Sequence, residues 1–351
     1  MDEFEDNKSK INLRDIKSSY SIKRIFSFLY EKQKLKTIIY NKEFQKICSI
    51  GIEDYKEKSG KYRIGNKNGE GKEYNIYTNI LMFFGEYKNG ERNGKGKEYY
   101  NNGELKFDGE YLNGERNGKG KEYDYDGNIK FDGEYLRGKR NGKGEEYYNN
   151  SYLKFKGEYL KGKRWNGEGY NIYGNIEFEI KDGEGKIKDY DSDDELEFDG
   201  EYKNGERNGK GKEYYTNGNL EFDGEYKNGE RNGKGKEFYG NGEIRFNGEY
   251  LYGKRWNGKG YNRNGNIEFE IKDGEGSIKE YNYNGELKFE GEFKNGERNG
   301  KGKEYGENGD FIYEGEFKNG KRNGKGKEYN SVNGQLKGEV EYINGEKINS
   351  K

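Results

Sequence analysis

The stretch Gly85-Glu86-Tyr87-Lys88-Asn89-Gly90-Glu91-Arg92-Asn93-Gly94-Lys95-Gly96-Lys97-Glu98-Tyr99 recurs along the chain with few changes. In the regular part of the sequence each copy begins 24 residues after the previous one. Later copies begin at Gly109, Gly133, Gly157, Gly200, Gly224, Gly248, Gly291 and Gly315. A short fixed period is typical of an array in which one small unit is stacked many times. Such arrays build extended binding surfaces, so the repeat favours binding or scaffolding.

Each copy has the pattern of a β-hairpin. In the segment 105–111, Leu105, Phe107, Gly109 and Tyr111 alternate with charged residues, and this period of two predicts a strand with one apolar face. The segment 118–123 is a second strand, and Asn113-Gly114 and Asp126-Gly127 are strong turn signals because these residues adopt positive φ. The fold class is therefore mainly β: an elongated, single-layer antiparallel sheet built from hairpins, with a small N-terminal helical segment.

Glycine recurs inside the strands at Gly109, Gly118 and Gly120, although glycine normally weakens a strand. We expect the missing Cβ atoms to leave room for an aromatic ring from a neighbouring unit to lie flat on the backbone. Phe107 and Tyr111 would supply these rings. The core is then predicted to be a ladder of stacked aromatic side chains.

Composition narrows the function classes. Lys and Glu alternate closely, the net charge is −1, and no basic stripe of the kind used for nucleic acid or anionic lipid is present. With no His and one Cys, the usual zinc sites and His-based catalytic sites are not available, and we expect no cofactor and no metal. The absence of an N-terminal apolar targeting segment and of long apolar runs predicts a cytoplasmic protein, with a peripheral position at a membrane or the cytoskeleton left open.

The repeat pattern resembles the MORN repeat, whose motif runs roughly Tyr-x-Gly-x-Trp-x-x-Gly-Lys-x-His-Gly-x-Gly. The resemblance covers residues 60–348, and one unit matches through Phe107, Gly109, Tyr111, Gly114, Asn117, Gly118 and Gly120. Tyr or Phe stands where the family has Trp, and Asn stands where it has His. The resemblance implies a groove-forming antiparallel sheet used in scaffolds, associated with lipid or with dimerising rods. We predict a repeat domain at 58–348, with about ten units and two truncated ones.

The segment 1–57 is predicted to be helical, with Ile22, Ile25, Phe26 and Leu29 on one helix face. The run Ile25-Phe26-Ser27-Phe28-Leu29 resembles a degenerate F-box that lacks the usual opening Leu-Pro. That resemblance implies that Ile25, Phe26 and Leu29 bind an adaptor of a ubiquitin ligase. The alternative, which we favour, is that these helices cap the first exposed sheet edge.

Two irregular places carry the only Trp residues. The spacing rises from 24 to 43 residues before Gly200 and before Gly291, and both places contain Lys-Arg-Trp-Asn-Gly and an identical dodecamer, 174–185 and 265–276. One interpretation is a duplicated three-unit segment whose extra residues are a truncated unit lacking its Arg-Asn half. The other is that Arg164, Trp165, Arg255 and Trp256 form two matched contact points for a partner, because Trp and Arg are favoured at binding hot spots.

The arginines that recur with the repeat, such as Arg92 and Arg116, form either part of the turn structure or a row that contacts an acidic partner; the turn structure is favoured. The carboxylates recur beside Lys in every unit, which is typical of a solvated face. We therefore expect no enzyme but a non-catalytic scaffold that binds a protein partner through its sheet. The alternatives are a substrate receptor with an F-box-like head and a phospholipid-associated scaffold. A homodimer through the exposed sheet edges is left open.

Overall fold

The computed structural model describes residues 46, 60–191, 193–307 and 309–348. The predicted helical segment 1–57, its candidate adaptor-binding residues Ile25, Phe26 and Leu29, and the predicted boundary at residue 57 therefore lie outside the described part, apart from Lys46. The chain divides into two compact units, Met1–Lys139 and Arg140–Lys351. This division falls inside the repeat domain that the sequence predicts as one.

The described part of the first unit is a run of antiparallel strands in which each strand pairs with the next along the chain. The strands are β1 (Lys61–Gly65), β2 (Gly69–Asn75), β3 (Leu81–Lys88), β4 (Glu91–Tyr99), β5 (Leu105–Leu112), β6 (Glu115–Tyr123) and β7 (Ile129–Leu136). The predicted hairpin architecture is confirmed.

The second unit follows the same rule in three successive runs of strands. The first run is β8 (Lys139–Tyr147), β9 (Leu153–Leu160), β10 (Lys163–Tyr170) and β11 (Ile176–Ile180). The second is β12 (Gly185–Tyr190), β13 (Leu196–Lys203), β14 (Glu206–Tyr214), β15 (Leu220–Lys227), β16 (Glu230–Phe238), β17 (Ile244–Leu251), β18 (Lys254–Tyr261) and β19 (Ile267–Ile271). The third is β20 (Gly276–Tyr281), β21 (Leu287–Lys294), β22 (Glu297–Tyr305), β23 (Phe311–Lys318), β24 (Lys321–Tyr329), β25 (Leu336–Ile343) and β26 (Glu346–Ile348).

The two kinds of predicted turn are present. Asn113 and Gly114 have φ of 52° and 87°, the left-handed pair that a two-residue hairpin turn between right-twisted strands requires. The amide of Gly114 donates to the carbonyl of Arg92 at 2.9 Å, so each hairpin turn is also bonded to the preceding hairpin. The other turn is held by Asp124, whose carboxylate accepts from the amides of Asp126 and Asn128 at 2.9 and 2.8 Å.

The glycine positions inside the strands accommodate aromatic rings as predicted, but the ring belongs mainly to the same unit. Gly109 and Gly120 lie opposite each other on β5 and β6. A Cβ on Gly109 would come within 2.7 Å of Cζ of Phe107, and a Cβ on Gly120 within 2.6 Å of Cε2 of that ring. The neighbouring unit contributes less: Cε2 of Tyr111 lies 3.3 Å from the Cβ position of Gly96 in the preceding hairpin. The expectation of a ring from a neighbouring unit is therefore only partly right.

The aromatic core differs from the predicted stack. The ring of Phe107 is 5.6 Å from that of Tyr111 and 5.2 Å from that of Tyr135, with interplanar angles of 86° and 87°. Phe83 makes the same two edge-to-face contacts with Tyr87 and Tyr111. The prediction of stacked rings is wrong here. Each Phe ring lies flat on a pair of glycines, which leaves room only for the edge of a neighbouring Tyr ring. The quadrupole of the aromatic rings favours this edge-to-face geometry.

The extra residues at the irregular spacings form shortened hairpins, as the interpretation of truncated units predicts. β11 and β12 are joined by the turn Asp182-Gly183 and by the single bridge between Lys181 and Glu184. β11 and β12 are not otherwise paired with each other, so one sheet ends at β11 and a new one begins at β12. The bridge between Lys272 and Glu275 repeats this arrangement between β19 and β20. We call these two places the corner hairpins.

Candidate interaction surfaces

The sheet has two faces of different chemistry because side chains alternate along each strand. On β5, Phe107 and Tyr111 are buried and lie on one face, which we call the aromatic face. Asp108 and Glu110 lie on the opposite face, where Asp108 pairs in register with Lys97 and Lys121 of the flanking strands. This second face is the Lys/Glu face. Lys119 lies opposite Glu134 on it, and Glu110 accepts from the backbone amide of Lys119 at 3.3 Å.

An arginine from each regular hairpin covers the aromatic face. The guanidinium carbon of Arg92 is 3.9 Å from the centroid of Phe83, and that of Arg116 is 4.0 Å from the centroid of Phe107. The same contact recurs in the second unit at Arg207, Arg231, Arg298 and Arg322. Cation–π contacts at this distance stabilise the packing of the rings. The side chains of the recurring arginines thus have a structural role, but it lies in the packing of the aromatic face and not in the turn that the sequence favours.

Within successive regular hairpins, one glutamate per hairpin connects these arginines into a ladder of ion pairs. Glu98 accepts from Nη2 of Arg116 at 2.7 Å, from Nη1 of Arg92 at 3.2 Å and from the Tyr111 hydroxyl at 2.8 Å. Arg116 continues to Glu122 at 2.7 Å. In the second unit, Arg231 bonds Glu213, and Arg255 bonds Glu237, whose side chain is buried.

The ladder shifts the titration of its members. Burial alone would raise the pKa of Glu73, but the charges of Arg92 and Lys61 and their hydrogen bonds outweigh it and hold the pKa at about 2. Burial raises the pKa of Tyr111, and the nearby Glu98 carboxylate raises it further. Glu73 is therefore ionised and Tyr111 is neutral near pH 7, which is the pattern of an internal structural network.

This ladder is what sequence reasoning missed. The carboxylates were expected on a solvated face, but Glu73 and Glu237 are buried on the aromatic face. Register explains the difference, because Glu122 lies directly opposite Phe107 and so shares its face, whereas Lys119 and Lys121 point the other way. The sequence does contain a signal for this face: a Glu that stands two positions after a strand glycine, as Glu122 does after Gly120, shares the face of the aromatic residues.

The predicted contact points Arg164, Trp165, Arg255 and Trp256 lie at the strands that precede the corner hairpins. Arg164 bonds Glu146 at 2.7 Å and Asp189 at 3.0 Å, and only 14% of its side chain is exposed. Arg255 bonds Glu237, with 16% of its side chain exposed. The structure thus uses both arginines in the ladder, and their binding of a partner stays a prediction.

Both Trp residues pack on the turns of the corner hairpins. The ring of Trp165 lies so close to Gly183 that a Cβ there would be 2.7 Å from Cζ3, and the amide of Gly183 donates to the Trp165 carbonyl at 2.8 Å. Trp256 makes the same contacts with Gly274. The Trp side chains are half-buried, so they support the corners first and leave only part of each ring accessible.

A groove of about 940 Å³ opens on the Lys/Glu face of the last run of strands in the second unit. Its floor is the sheet backbone, where Gly291 pairs with Gly302 and Gly315 pairs with Gly326. The glycine positions face the aromatic side of the sheet, so on this face the backbone lies between and below the charged side chains of the neighbouring positions. We call this feature the banded groove.

The walls of the banded groove alternate in charge from strand to strand. β21 contributes one carboxylate, β23 and β25 contribute two each, and β22 and β24 contribute two ammonium groups each: Glu290, Lys301 and Lys303, Glu314 and Glu316, Lys325 and Lys327, Glu339 and Glu341. Neighbouring bands partly neutralise each other, as in the pair of Lys303 with Glu290 at 3.6 Å. With strands about 4.8 Å apart, like charges recur about every 10 Å along the groove.

Comparison with known proteins agrees with the repeat architecture. Seven stretches match the model of the MORN repeat family: 83–104, 107–129, 131–151, 198–220, 222–244, 289–311 and 313–331. The chain therefore carries MORN repeats, as its sequence predicts. The matches begin at residue 83 and do not reach the segment with the F-box-like pattern, which stays a prediction. In the described part of the chain no helix is long and apolar enough to cross a membrane.

The solved structures that resemble the chain do so only weakly. A crystal structure of TarM matches with 12% identity and a TM-score of 0.21, covering 37% of this chain and 27% of TarM. Crystal structures of TcdB2-TccC3-TEV and of TcdB2-TccC3 without its hypervariable C-terminal region match 78% of this chain at 13% and 9% identity, with TM-scores of 0.16 and 0.15. This chain spans only 14% and 18% of those chains. A search of curated proteins found no match.

Proposed function

We propose that the chain is a non-catalytic scaffold that binds a protein partner along the banded groove. The observation that carries this proposal is the groove itself: an open volume of about 940 Å³ on the sheet, walled by charges and floored by glycine backbone. A polypeptide placed there meets backbone groups at the floor and bands of opposite charge at the walls. Complementary charges set the register and specificity of such a contact more than its affinity.

The recurring carboxylates support a non-catalytic role. They alternate with Lys on one face and are paired with Arg in the ladder on the other, so none has the isolated environment of a catalytic acid or base. MORN repeats generally serve as modules for protein or membrane-lipid interaction. For this chain the protein partner is favoured over lipid, because the groove is lined by six carboxylates and five ammonium groups and so has no net attraction to an anionic surface.

The test uses a charge swap that preserves the internal pairing. The double substitution Lys303→Glu/Glu290→Lys exchanges the two charges of this ion pair. It therefore reverses the charge at one position on each of two neighbouring strands without leaving an unpaired charge. The matched control is Lys97→Asp with Asp108→Lys, which swaps the equivalent pair, 3.1 Å apart, in the first unit. Full-length wild type and both swaps are used as bait in source lysate, and bound proteins are identified by mass spectrometry. We expect a partner retained by wild type and by the control swap and lost from the groove swap.

Two other outcomes would favour the alternatives. Loss of a ligase adaptor from a full-length Phe26→Ala/Leu29→Ala variant, with the groove swap unaffected, would favour the substrate receptor. Sedimentation of wild type with vesicles containing phosphatidylserine, and not with neutral vesicles, would favour the lipid-associated scaffold. Retention of the same partners by all variants would refute the groove as the binding site.

A further inference from the structure

Two tyrosines of the first unit have their rings in direct contact at the outer ends of neighbouring hairpins. Tyr100 follows β4 and Tyr125 follows β6, so the residues belong to successive turns on the same edge of the sheet. Their ring centroids are 3.9 Å apart, and the planes are inclined by 25°. At this separation the ring carbons of the two side chains are in van der Waals contact face to face.

Hydrogen bonds hold the ring of Tyr100 and the backbone of Tyr125 in this position. The hydroxyl of Tyr100 donates to the carbonyl of Tyr123 at 2.7 Å, which ties the outer end of its ring to the other hairpin. Nδ2 of Asn102 donates to the carbonyl of Tyr125 at 3.1 Å. The turn that carries Tyr125 is itself closed by Asp124. The contact is therefore anchored from both turns and does not depend on the ring stacking alone.

The two rings also differ in access. Tyr125 is 61% exposed, whereas Tyr100 is half-buried beneath it, with Nζ of Lys106 5.4 Å from its centroid. An oxidant in solution therefore reaches Tyr125 first. A radical formed there has Tyr100 as its nearest aromatic neighbour.

We propose that Tyr100 and Tyr125 are a site of oxidative cross-linking, at which peroxide acting through a haem peroxidase joins the two rings as dityrosine. Each phenol gives up one electron and one proton, and the resulting phenoxyl radicals couple through the carbons next to the hydroxyl groups. Each coupled carbon then loses its hydrogen as a proton to the phenoxyl oxygen of its ring, which restores both phenols. The two electrons and two protons released reduce one hydrogen peroxide to two waters.

Other tyrosine pairs in the described part of the chain are less well placed. The rings of Tyr148 and Tyr190 are 5.7 Å apart at 78°, and those of Tyr215 and Tyr283 are 4.9 Å apart at 75°. Tyr62 and Tyr74 are nearly parallel but 5.3 Å apart. A bond between Tyr100 and Tyr125 would join two neighbouring hairpins covalently. Like a disulfide, it would restrict the unfolded chain and so raise resistance to unfolding.

The experiment treats dilute, folded full-length protein with horseradish peroxidase and hydrogen peroxide, isolates the monomer and digests it with trypsin. The expected product joins the peptides 98–106 and 122–130, with the loss of two hydrogen atoms and with fragment ions that place the bond at Tyr100 and Tyr125. Tyr125→Phe should lose this product and its dityrosine fluorescence. Tyr123→Phe, in the same peptide, should keep it.

Three results would overturn the proposal. The first is the same joined peptides from folded Tyr125→Phe. The second is oxidised wild-type monomer in which these peptides are not joined while other tyrosines are. The third is an equal yield from protein unfolded in urea, since that would show that the folded contact does not direct the coupling. Circular dichroism of each variant confirms that its sheet is intact before oxidation.

Discussion

Gly120→Ala gives the sharpest test of the packing between glycine and aromatic ring. The added Cβ would lie 2.6 Å from Cε2 of Phe107, about 1 Å short of ordinary carbon–carbon contact. Phe107 is fully buried between Tyr111 and Tyr135 and has no free space to move into. Overpacking of this kind costs about 1–3 kcal/mol. Without the clash, the same change would stabilise the strand by about 0.5–1 kcal/mol, because alanine loses less chain entropy than glycine. A lower stability of Gly120→Ala therefore indicates the clash with Phe107, and a higher stability indicates that there is no clash.

Two matched changes complete this test. Gly114→Ala adds a Cβ that meets nothing within 4 Å but occupies a φ of 87°, so it measures backbone strain alone, about 1–2 kcal/mol. Gly306→Ala has neither a clash nor a positive φ, with its nearest neighbour at 3.6 Å, and should stabilise the fold by about 0.4–1 kcal/mol through chain entropy.

The assay is urea denaturation, with hydrogen exchange followed by mass spectrometry because repeat arrays can open locally. The expected result for Gly120→Ala is a lower free energy of unfolding and faster exchange in β5 and β6. A stability equal to or above that of wild type would refute the account of the core.

Three further predictions concern the ladder and the corners. Arg116→Met should lower the free energy of unfolding by about 1–2 kcal/mol. This is less than for a fully buried ion pair, because 17% of the Glu98 side chain and 23% of the Glu122 side chain remain exposed. Arg137→Met in an exposed turn is the control, and equal effects of the two changes in urea denaturation would contradict the ladder. The pKa of Glu73 is lowered to about 2 in the folded state, so its contribution is complete above the unfolded value near 4.5 and is lost as pH falls from there toward 2. Denaturation at pH 7 and pH 3 should show a smaller acid loss for Glu73→Gln than for wild type, by up to about 2 kcal/mol, whereas exposed Glu70→Gln should behave like wild type. Gly183→Ala should destabilise the fold more than Gly174→Ala. Both glycines have positive φ, but only a Cβ at Gly183 would lie 2.7 Å from the Trp165 ring. Thermal unfolding followed by Trp fluorescence measures the difference, and equal losses of stability would argue against the packing of Trp165 on the corner hairpin.

Much of the fold could be predicted because the relevant signals are local. Asn113-Gly114 specifies its turn through backbone preference, and the alternation from Leu105 to Tyr111 specifies its strand. The room that Gly109 and Gly120 leave for Phe107 could also be predicted, since only the absence of a Cβ explains glycine recurring in register.

The remaining features depend on register between strands, which a single strand does not encode. Glu98 and Lys97 are neighbours in sequence, yet one joins the ladder beside Phe107 and the other pairs with Asp108 on the opposite face. The edge-to-face contacts of Tyr111 likewise follow from the spacing of hairpins. The ends of the sheet at the corner hairpins follow from the shortness of β11 and β12, whose consequence for pairing appears only in three dimensions.

The measurement that tests the central claim most directly is site-specific photo-cross-linking of the full-length protein in source lysate. A photoreactive residue is placed at Ser277, an exposed position on the wall of the banded groove, and in a second variant at Asn150, an exposed turn position far from it in sequence. Binding along the groove predicts a partner cross-linked from Ser277 and absent from Asn150. A partner cross-linked equally from both positions, or only from Asn150, would contradict a function that resides in the groove.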